Sequence, residues 1–237
     1  MPADIRPLSS LPHGVTLDRI VADISVQIAR RAHSHAAGYQ GAVYISQQGQ
    51  FRFAVKAVTQ RGLRGWLGQW MLFREFRRYR RLQDCAGTPV CYGLADRRYL
   101  VLQFIEGTPL RQGEPPDRDR FYAHLFDLIA NLHARGIAHA DLKRKDNLLV
   151  VNGTDPCLID FGTAMVRGEG FAPLNRLAFR IGVQFDWNAW IKLKYRNRLD
   201  EMSDADRRYY RLTFIERFAR WTRRPYRWLT SGRRDSM

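Results

Sequence analysis

Two short segments in the second half of the chain constrain its structure and chemistry more than any other feature. Residues 139–147 carry a carboxylate at Asp141 and a carboxamide six residues later, at Asn147. Residues 159–162 (Ile-Asp-Phe-Gly) place a second carboxylate, Asp160, at the end of a short apolar run. Carboxylate and amide oxygens are ligands for Mg²⁺, and a carboxylate can also orient a hydroxyl nucleophile. Together the segments therefore indicate phosphoryl transfer from a magnesium-bound nucleotide.

Size and charge limit the class of protein. At 237 residues the chain can bury a substantial core in one or two domains. It has no apolar stretch near the roughly 20 residues that span a bilayer, and its N-terminus lacks the apolar region of a signal peptide. Its three cysteines have no paired or metal-ligand spacing, so we expect reduced thiols in a cytoplasmic protein. A net charge of +16, mostly from arginine, favours an anionic partner such as a membrane surface, a phosphorylated glycolipid or a nucleic acid.

Apolar spacing predicts a strand-rich first part and a helix-rich second part. This is an α+β arrangement in two lobes, with the join near residues 103–107. The alternation of Ile24, Val26 and Ile28 predicts a strand over residues 21–30. Other predicted strands are residues 99–102 and a hairpin, residues 42–46 and 51–56. Predicted helices cover residues 62–82, 121–134, 186–195 and 204–221.

The order of the polar residues resembles the protein-kinase-like superfamily. A lysine that ends a strand (Ala54-Val55-Lys56), Glu75 in the next helix, the loop His139-Ala140-Asp141 and the turn Asp160-Phe161-Gly162 follow one another as in that family. The resemblance extends over most of the chain, residues 21–195. It implies a bilobal kinase fold that uses ATP and Mg²⁺.

The resemblance also implies a division of the chain. The N-lobe, residues 1–104, is expected to be a small β-sheet with one helix that carries Glu75. The C-lobe, residues 105–237, is expected to be reduced and helical, with the catalytic loop, the Asp160 turn and a basic C-terminal helix.

Lys56 and Glu75 are expected to form an ion pair. In the family, such a lysine holds the α- and β-phosphates of ATP and the glutamate fixes its ammonium group. Glu75 is the only acidic residue between Arg61 and Arg81, which leaves little choice of partner. The alternative is that Glu75 pairs with Arg78, three residues later, on a solvated helix face.

The resemblance implies that two further segments contact the nucleotide. The backbone of residues 103–105, from Gln103 to Ile105, should bind the adenine edge, with Leu102 at the back of the pocket. Gly38 and Gly41 are the best candidates for the loop that covers the phosphates. A pair of glycines is equally typical of an ordinary turn.

The family pattern assigns a role to each residue of the catalytic loop. Asp141 would orient the acceptor hydroxyl, and Lys143 would offset charge on the transferred phosphoryl group. Asn147 and Asp160 would ligate magnesium. Asp146 stands at the spacing that the family uses, so it is an alternative ligand, although Asn147 directly precedes the next apolar strand.

Other residues near the loop have expected structural roles. His139 is expected to pack on, or hydrogen-bond to, the Asp160 turn, and Asp186 resembles the helix aspartate that braces the catalytic loop backbone. Trp187 and Trp190 are expected to pack in the core.

Three departures from the pattern refine the expected acceptor and regulation. Ala140 replaces an arginine that often pairs with a phosphorylated activation loop, which argues against that mode of control. No Ala-Pro-Glu triplet follows Gly162, and the segment from Thr163 to Gln184 is short. A platform for peptide substrates is therefore reduced. With the small size and positive charge, this pattern looks like the bacterial lipopolysaccharide core kinases, the Kdo/heptose kinase family.

Two segments concentrate arginines among aromatic residues, residues 61–81 and 207–228. Such a pattern suits an anionic membrane interface or single-stranded nucleic acid, and it is also typical of an amphipathic helix with a solvated basic face. For the second segment we favour contact with a membrane or glycolipid.

These observations lead to an expected function. The chain should transfer the γ-phosphoryl group of ATP, with magnesium, to a sugar hydroxyl of a lipopolysaccharide core. It would then be peripheral at the cytoplasmic face of the inner membrane, with an anionic glycolipid acceptor and an anionic membrane surface as partners and no nucleic acid. The alternatives are a small serine/threonine protein kinase with a protein substrate and, less favoured, a non-catalytic pseudokinase or membrane scaffold.

Overall fold

A six-stranded antiparallel sheet forms the first part of the protein. A computed structural model describes residues 6–30, 36–38 and 41–212. The strands lie in the order β1-β5-β6-β4-β3-β2. They are β1 (Arg6–Pro7), β2 (Ala36–Gly38), β3 (Gly41–Gln48), β4 (Phe51–Ala57), β5 (Cys91–Ala95) and β6 (Tyr99–Gln103).

The predicted hairpin and the predicted strand at residues 99–102 are confirmed. Strands β3 and β4 pair in register from Ala42↔Ala57 to Gln48↔Phe51, and Gly49 has a positive φ (62°) in the turn between them. Strand β6 pairs with β4. Because side chains alternate along a strand, β4 directs Val55 to one face of the sheet and Lys56 to the other.

The predicted strand over residues 21–30 is wrong, because this segment belongs to helix α1 (Leu17–Ala29). Leu17, Ile20 and Ile24 recur at helical spacing and are buried against the sheet, whereas Val26 is 48% exposed. Thr16 caps the helix, since its Oγ1 accepts a hydrogen bond from the Arg19 N–H at 3.3 Å. The alternation of Ile24, Val26 and Ile28 therefore does not mark one face of a strand, because Ile24 and Val26 lie on different sides of the helix.

Helix α2 (Gly62–Arg81) confirms the predicted helix at residues 62–82 and packs on the face of the sheet to which Lys56 points. Its buried side chains include Leu72, Phe76 and Tyr79, which belong to the main hydrophobic core. That core continues without a break into the helical part of the protein.

The second part is mainly helical, as predicted, so the α+β class is confirmed. Its helices are α3 (Arg118–Ala134), α4 (Pro173–Lys194) and α5 (Asp204–Arg207). This part also contains two small sheets, β10-β9-β7 and β11-β8. Their strands are β7 (Thr108–Pro109), β8 (Ile137–Ala138), β9 (Leu148–Val151), β10 (Asp155–Leu158) and β11 (Met165–Val166).

Helix α4 begins earlier than predicted. It starts at Pro173 rather than near Asp186, so the segment between the Asp160 turn and the helix is only residues 163–172. Proline is favoured at this first helical position because its missing N–H has no intrahelical partner there. The prediction that Trp187 and Trp190 pack in the core is confirmed, since both contact the ring of Phe126.

The predicted helix over residues 204–221 is wrong within the described residues. Helix α5 ends at Arg207, and residues 208–212 are turn and irregular structure. The remainder of that prediction, residues 213–221, lies outside the described residues.

Strand β6 ends at Gln103, and residues 104–107 form no regular structure before the second part begins. This agrees with a join in that region, while the division into lobes at residues 104/105 stays a prediction. Among the described residues, no helix has the length and apolarity needed to cross a bilayer.

Candidate active site

The centre of the candidate site is the ammonium group of Lys56. Its Nζ lies 2.7 Å from Oε1 of Glu75 on α2 and 2.7 Å from Oδ1 of Asp160. The predicted Lys56–Glu75 pair is therefore present, and a second carboxylate completes it. Three residues far apart in sequence thus meet at one point: a strand supplies the cation, and a helix and the Asp160 turn supply the anions.

The charges in this cluster shift one another's pKa values. Burial alone would lower the pKa of Lys56, but the attraction of Glu75 and Asp160 outweighs it and raises that pKa. Burial also acts to raise the pKa of Asp160, yet the ion pair with Lys56 and the Gly162 N–H lower it. For Glu75, which is fully buried, burial dominates over Lys56 and the pKa is raised. Lys56 and Asp160 are therefore held in their charged forms.

The alternative pairing of Glu75 with Arg78 is not observed. Arg78 is buried, and its Nη1 donates a 2.7 Å hydrogen bond to the carbonyl oxygen of Gly162. Tyr79 packs edge-on against Phe161, with ring centroids 5.4 Å apart. Helix α2 therefore contacts the Asp160 turn through the consecutive residues Arg78 and Tyr79. The sequence did not predict the burial of Arg78, because arginine on a basic helix is normally solvated.

Asp186 of helix α4 holds the catalytic loop by its backbone, as predicted. Its carboxylate accepts hydrogen bonds from the N–H groups of His139 (2.8 Å) and Ala140 (2.7 Å). Ala140 has φ +64°, a left-handed conformation that costs a non-glycine residue about 1–2 kcal/mol. These two bonds stabilise that strained backbone next to Asp141. His133, which the sequence did not single out, approaches the same carboxylate at 3.0 Å.

His139 links the loop to the Asp160 turn, as expected. Its Nε2 lies 3.0 Å from the carbonyl oxygen of Ile159, and its ring packs edge-on against Phe161 at 4.9 Å. Because the carbonyl can only accept, Nε2 carries the proton. The buried ring therefore has a structural role.

Asn147 is buried beside Asp141. Its Nδ2 lies 3.3 Å from the Asp141 carbonyl oxygen and 3.4 Å from Asp141 Oδ2. Asp146 turns away, and its Oδ1 pairs with Nε of Arg111 at 2.8 Å. Of the two alternative metal ligands, the geometry favours Asn147. Lys143 is exposed.

Asn147 and Asp160 are neighbours across the β9–β10 hairpin. The pair Leu148↔Leu158 ends the hairpin, and the Ile159 N–H donates to the Asn147 carbonyl oxygen at 3.0 Å. Asn147 donates its hydrogen bonds through Nδ2 and Asp160 accepts through Oδ1, whereas Oδ1 of Asn147 and Oδ2 of Asp160 have no protein partner within the described part of the chain. These two oxygens suit a magnesium ion whose other ligands are phosphate and water oxygens.

The described residues contain no group of three or more His, Cys, Asp or Glu side chains with the geometry to hold a metal alone. The two expected magnesium ligands are one carboxylate, Asp160, and one carboxamide, Asn147. Mg²⁺ commonly binds in this way, through few protein ligands together with a nucleotide.

The predicted adenine-binding segment is partly used within the protein. The N–H groups of Gln103 and Phe104 donate to the carbonyl oxygens of Val90 (2.8 Å) and Arg52 (3.4 Å). No backbone partner is recorded for the Ile105 N–H among the described residues, so it is the donor available to a ligand here. Leu102 is buried, and its place at the back of an adenine pocket stays a prediction.

Gly38 is the last residue of β2 and Gly41 is the first residue of β3. They are opposite one another in the strand register. Gly41 has φ +136°, and a Cβ there would lie 2.6 Å from the carbonyl oxygen of Ala57. Position 41 therefore requires glycine for the close approach of β3 to the end of the strand that carries Lys56.

Comparison with known proteins gives partial matches to kinases. No family model matches the chain. A candidate cyclin-dependent kinase, F-2, of Oryza sativa subsp. japonica is 30% identical over 162 residues, which is 57% of this chain and 47% of that protein. The serine/threonine-protein kinase ppk8 of Schizosaccharomyces pombe is 35% identical over 78 residues, 30% of this chain and 15% of that protein. The chain thus spans less than half the length of these relatives.

A solved structure matches the fold over most of the chain. It is the Rio2 kinase of Chaetomium thermophilum in complex with ADP, Mg²⁺ and phosphoaspartate, with a TM-score of 0.50 and 18% identity. The match covers 84% of this chain and 68% of that one. The fold prediction is confirmed: the chain has a protein-kinase-like fold.

Proposed function

We propose that the protein is an ATP- and magnesium-dependent phosphotransferase that acts on a hydroxyl group. The observation that carries this proposal is the position of Lys56, 2.7 Å from both Glu75 and Asp160. A buried lysine held by two carboxylates is poised to bind the phosphates of ATP. Similarity to proteins named as kinases supports the same activity.

Each polar residue of the site has a distinct part in this reaction. Lys56 binds the α- and β-phosphates, and Glu75 keeps its ammonium group in place. Asp141 orients the acceptor hydroxyl and accepts its proton, while Lys143 offsets charge on the phosphoryl group. Asn147 and Asp160 would hold magnesium, which when bound neutralises charge on the phosphates.

For the acceptor, we propose a sugar hydroxyl of a lipopolysaccharide core. Only residues 163–172 separate the Asp160 turn from helix α4, so little chain is available to bind a peptide. The net charge of +16 suits a phosphorylated glycolipid at an anionic membrane. On this proposal the protein is peripheral at the cytoplasmic face of the inner membrane, and nucleic acid is not its partner.

A serine/threonine protein kinase is the second candidate. The relatives named as protein kinases favour it, although each match covers less than half of the relative's length. The same catalytic residues would serve a serine or threonine hydroxyl, so the chemistry alone does not separate the two acceptors.

Incubation with γ-labelled ATP and Mg²⁺ tests the proposal. Separate reactions contain purified lipopolysaccharide core glycolipid or a generic protein substrate, and Lys56→Met serves as the inactive control. We expect label in the glycolipid that depends on Lys56. Label in the protein substrate alone would refute the glycolipid acceptor and favour a serine/threonine protein kinase. Absence of transfer to either acceptor or to water would favour a non-catalytic scaffold.

A further inference from the structure

The N-terminal half of helix α2 exposes its large apolar side chains. The exposed fractions are 81% for Leu63, 63% for Trp66, 48% for Leu67 and 42% for Trp70. Spacings of three and four residues place all four on one side of the helix. An interpretation of this aromatic pattern as a core face is therefore excluded for these four residues.

The opposite side of the same helical turns carries glycine. Gly65 and Gly68 are buried, and a Cβ added at Gly68 would lie 2.9 Å from Cγ1 of Val58, while one at Gly65 would lie 2.4 Å from the Gln60 carbonyl oxygen. The backbone of α2 therefore approaches its neighbours too closely to admit a larger side chain. The tryptophans face outward because the inner face has no room for them.

Arginines extend the exposed stripe toward the end of the helix. Arg74 follows Trp70 by four residues and Arg77 follows Arg74 by three, and both arginines are exposed. The guanidinium carbon of Arg74 lies 4.7 Å from the centre of the Trp70 ring. The one acidic residue of α2, Glu75, is buried on the other side, so it does not neutralise this surface.

We propose that this stripe, the α2 face, docks on the surface of an anionic lipid bilayer. The α2 face comprises Leu63, Trp66, Leu67, Trp70, Arg74 and Arg77. Tryptophan rings are stable at headgroup depth, and guanidinium groups bind lipid phosphates. A bilayer also accepts a single convex helix face without a matching cleft. A second copy of the chain whose α2 runs parallel to the first is disfavoured, because that symmetric contact would oppose the arginines of the two faces.

Docking would act on the candidate active site through the same helix. The inner side of α2 carries Glu75, which holds Lys56, and Arg78, which holds the Gly162 carbonyl oxygen. A membrane that fixes α2 from outside therefore stabilises both contacts, and phosphoryl transfer is faster on vesicles. This second step rests on the proposed function, whereas membrane docking does not.

Tryptophan quenching identifies the docked residues directly. The full chain with Trp221→Phe and Trp228→Phe keeps Trp66 and Trp70 as its exposed tryptophans, and Trp187 and Trp190 lie in the core. Vesicles of phosphatidylcholine and phosphatidylglycerol carry brominated acyl chains that quench inserted rings. We expect quenching in this protein and its loss after Trp66→Phe with Trp70→Phe, while flotation with the vesicles persists.

Affinity measurements use a matched pair of double variants. Trp66→Ala with Trp70→Ala should weaken vesicle binding by about tenfold or more, since about 55 Å² of lost apolar contact is worth that factor. Phe171→Ala with Leu174→Ala removes side chains that are at least as exposed, near the start of α4, and should change nothing. Arg74→Gln with Arg77→Gln should reduce the preference for phosphatidylglycerol and the sensitivity to salt.

Several results would overturn the proposal. One is vesicle binding without quenching of Trp66 and Trp70, which would assign docking to another part of the chain. Another is a wild-type dimer in sedimentation that dissociates in the Trp66→Ala, Trp70→Ala variant. That result would show that the α2 face is a contact between two copies of the chain. Saturable binding to an acidic protein, with none to vesicles, would likewise replace the lipid. Docking without any phosphoryl transfer would leave the docking proposal intact and refute the proposed function, together with the second step that rests on it.

Discussion

Replacing Asp186 with asparagine should destabilise the catalytic loop and the whole protein. The buried carboxylate accepts from the N–H groups of His139 (2.8 Å) and Ala140 (2.7 Å). Hydrogen bonds to charged groups contribute about 1.5–3 kcal/mol each. Asparagine can accept one of these bonds, but its NH₂ group would face the second N–H, which then stays unpaired at a cost of about 1–3 kcal/mol.

We therefore expect Asp186→Asn to lower the free energy of unfolding by about 3 kcal/mol. In a domain of this size that corresponds to a fall in Tm of about 6–12 °C. Phosphoryl transfer should fall as well, because the left-handed backbone at Ala140 positions Asp141. Thermal and urea unfolding of the purified protein measure the first effect, and γ-phosphoryl transfer measures the second.

Asp204→Asn is the matched control. Asp204 is fully exposed and pairs with Arg207 at 3.2 Å on the surface, where ion pairs contribute little. The Tm of Asp204→Asn should equal that of the wild type. If Asp186→Asn unfolds at the same temperature and transfers phosphate at the same rate as this control, the bracing role of Asp186 is refuted.

Three further predictions follow from burial and charge. In Lys56→Met, the pKa of Asp160 should rise, because the ion pair with Lys56 no longer opposes the effect of burial. The wild type loses the stability contributed by ionised Asp160 as pH falls below the ordinary value of 3.8, whereas the variant lacks this contribution, so its free energy of urea unfolding should fall less between pH 6 and pH 3 than that of the wild type. Ile24 lies on the buried side of α1, so Ile24→Ala should lower the free energy of unfolding by about 2–5 kcal/mol, and Val26→Ala should lower it far less. Urea unfolding measures both values, and equal losses would contradict the assignment of this segment to a helix. The three cysteines are buried, and burial raises the pKa of Cys91 to about 12, so native protein should resist iodoacetamide at pH 8 until it unfolds.

Sequence patterns correctly predicted the elements whose apolar residues recur at a spacing that fits only a helix or only a strand. The β3–β4 hairpin and helices α2 and α3 are examples. Helix α1 was missed because Ile24, Val26 and Ile28 alternate within a single turn, although Thr16 was a usable cap signal. The early start of α4 also had a signal, Pro173 at the first helical position.

Within the candidate site, the residues expected to meet were found from the order of motifs. The contacts among these residues could not be predicted in this way, because they depend on how the two parts of the chain pack together. Lys56 contacts Asp160 as well as Glu75 because the core brings the two parts of the chain together. Arg78 is buried among its neighbours, and no property of its local sequence distinguishes it from the exposed arginines of α2.

The outward tryptophans of α2 show a similar limit. Their spacing predicts that they share one side of the helix, and it leaves open whether that side faces the core or solvent. Only the close approach at Gly65 and Gly68 decides this, because the backbone there leaves no space for a larger side chain. A pattern of small residues opposite large ones is therefore the sequence signal for such a face.

The central claim is that Asp160 and Asp141 have different roles: Asp160 binds magnesium, and Asp141 orients the acceptor hydroxyl. The direct measurement is ATP affinity by calorimetry, with and without Mg²⁺, alongside γ-phosphoryl transfer in the wild type, Asp160→Asn and Asp141→Asn. We predict that Asp160→Asn loses the magnesium-dependent part of ATP binding, while Asp141→Asn binds ATP and magnesium normally but transfers no phosphate. Wild-type transfer by Asp141→Asn, or ATP binding that neither magnesium nor Asp160 affects, would contradict the account.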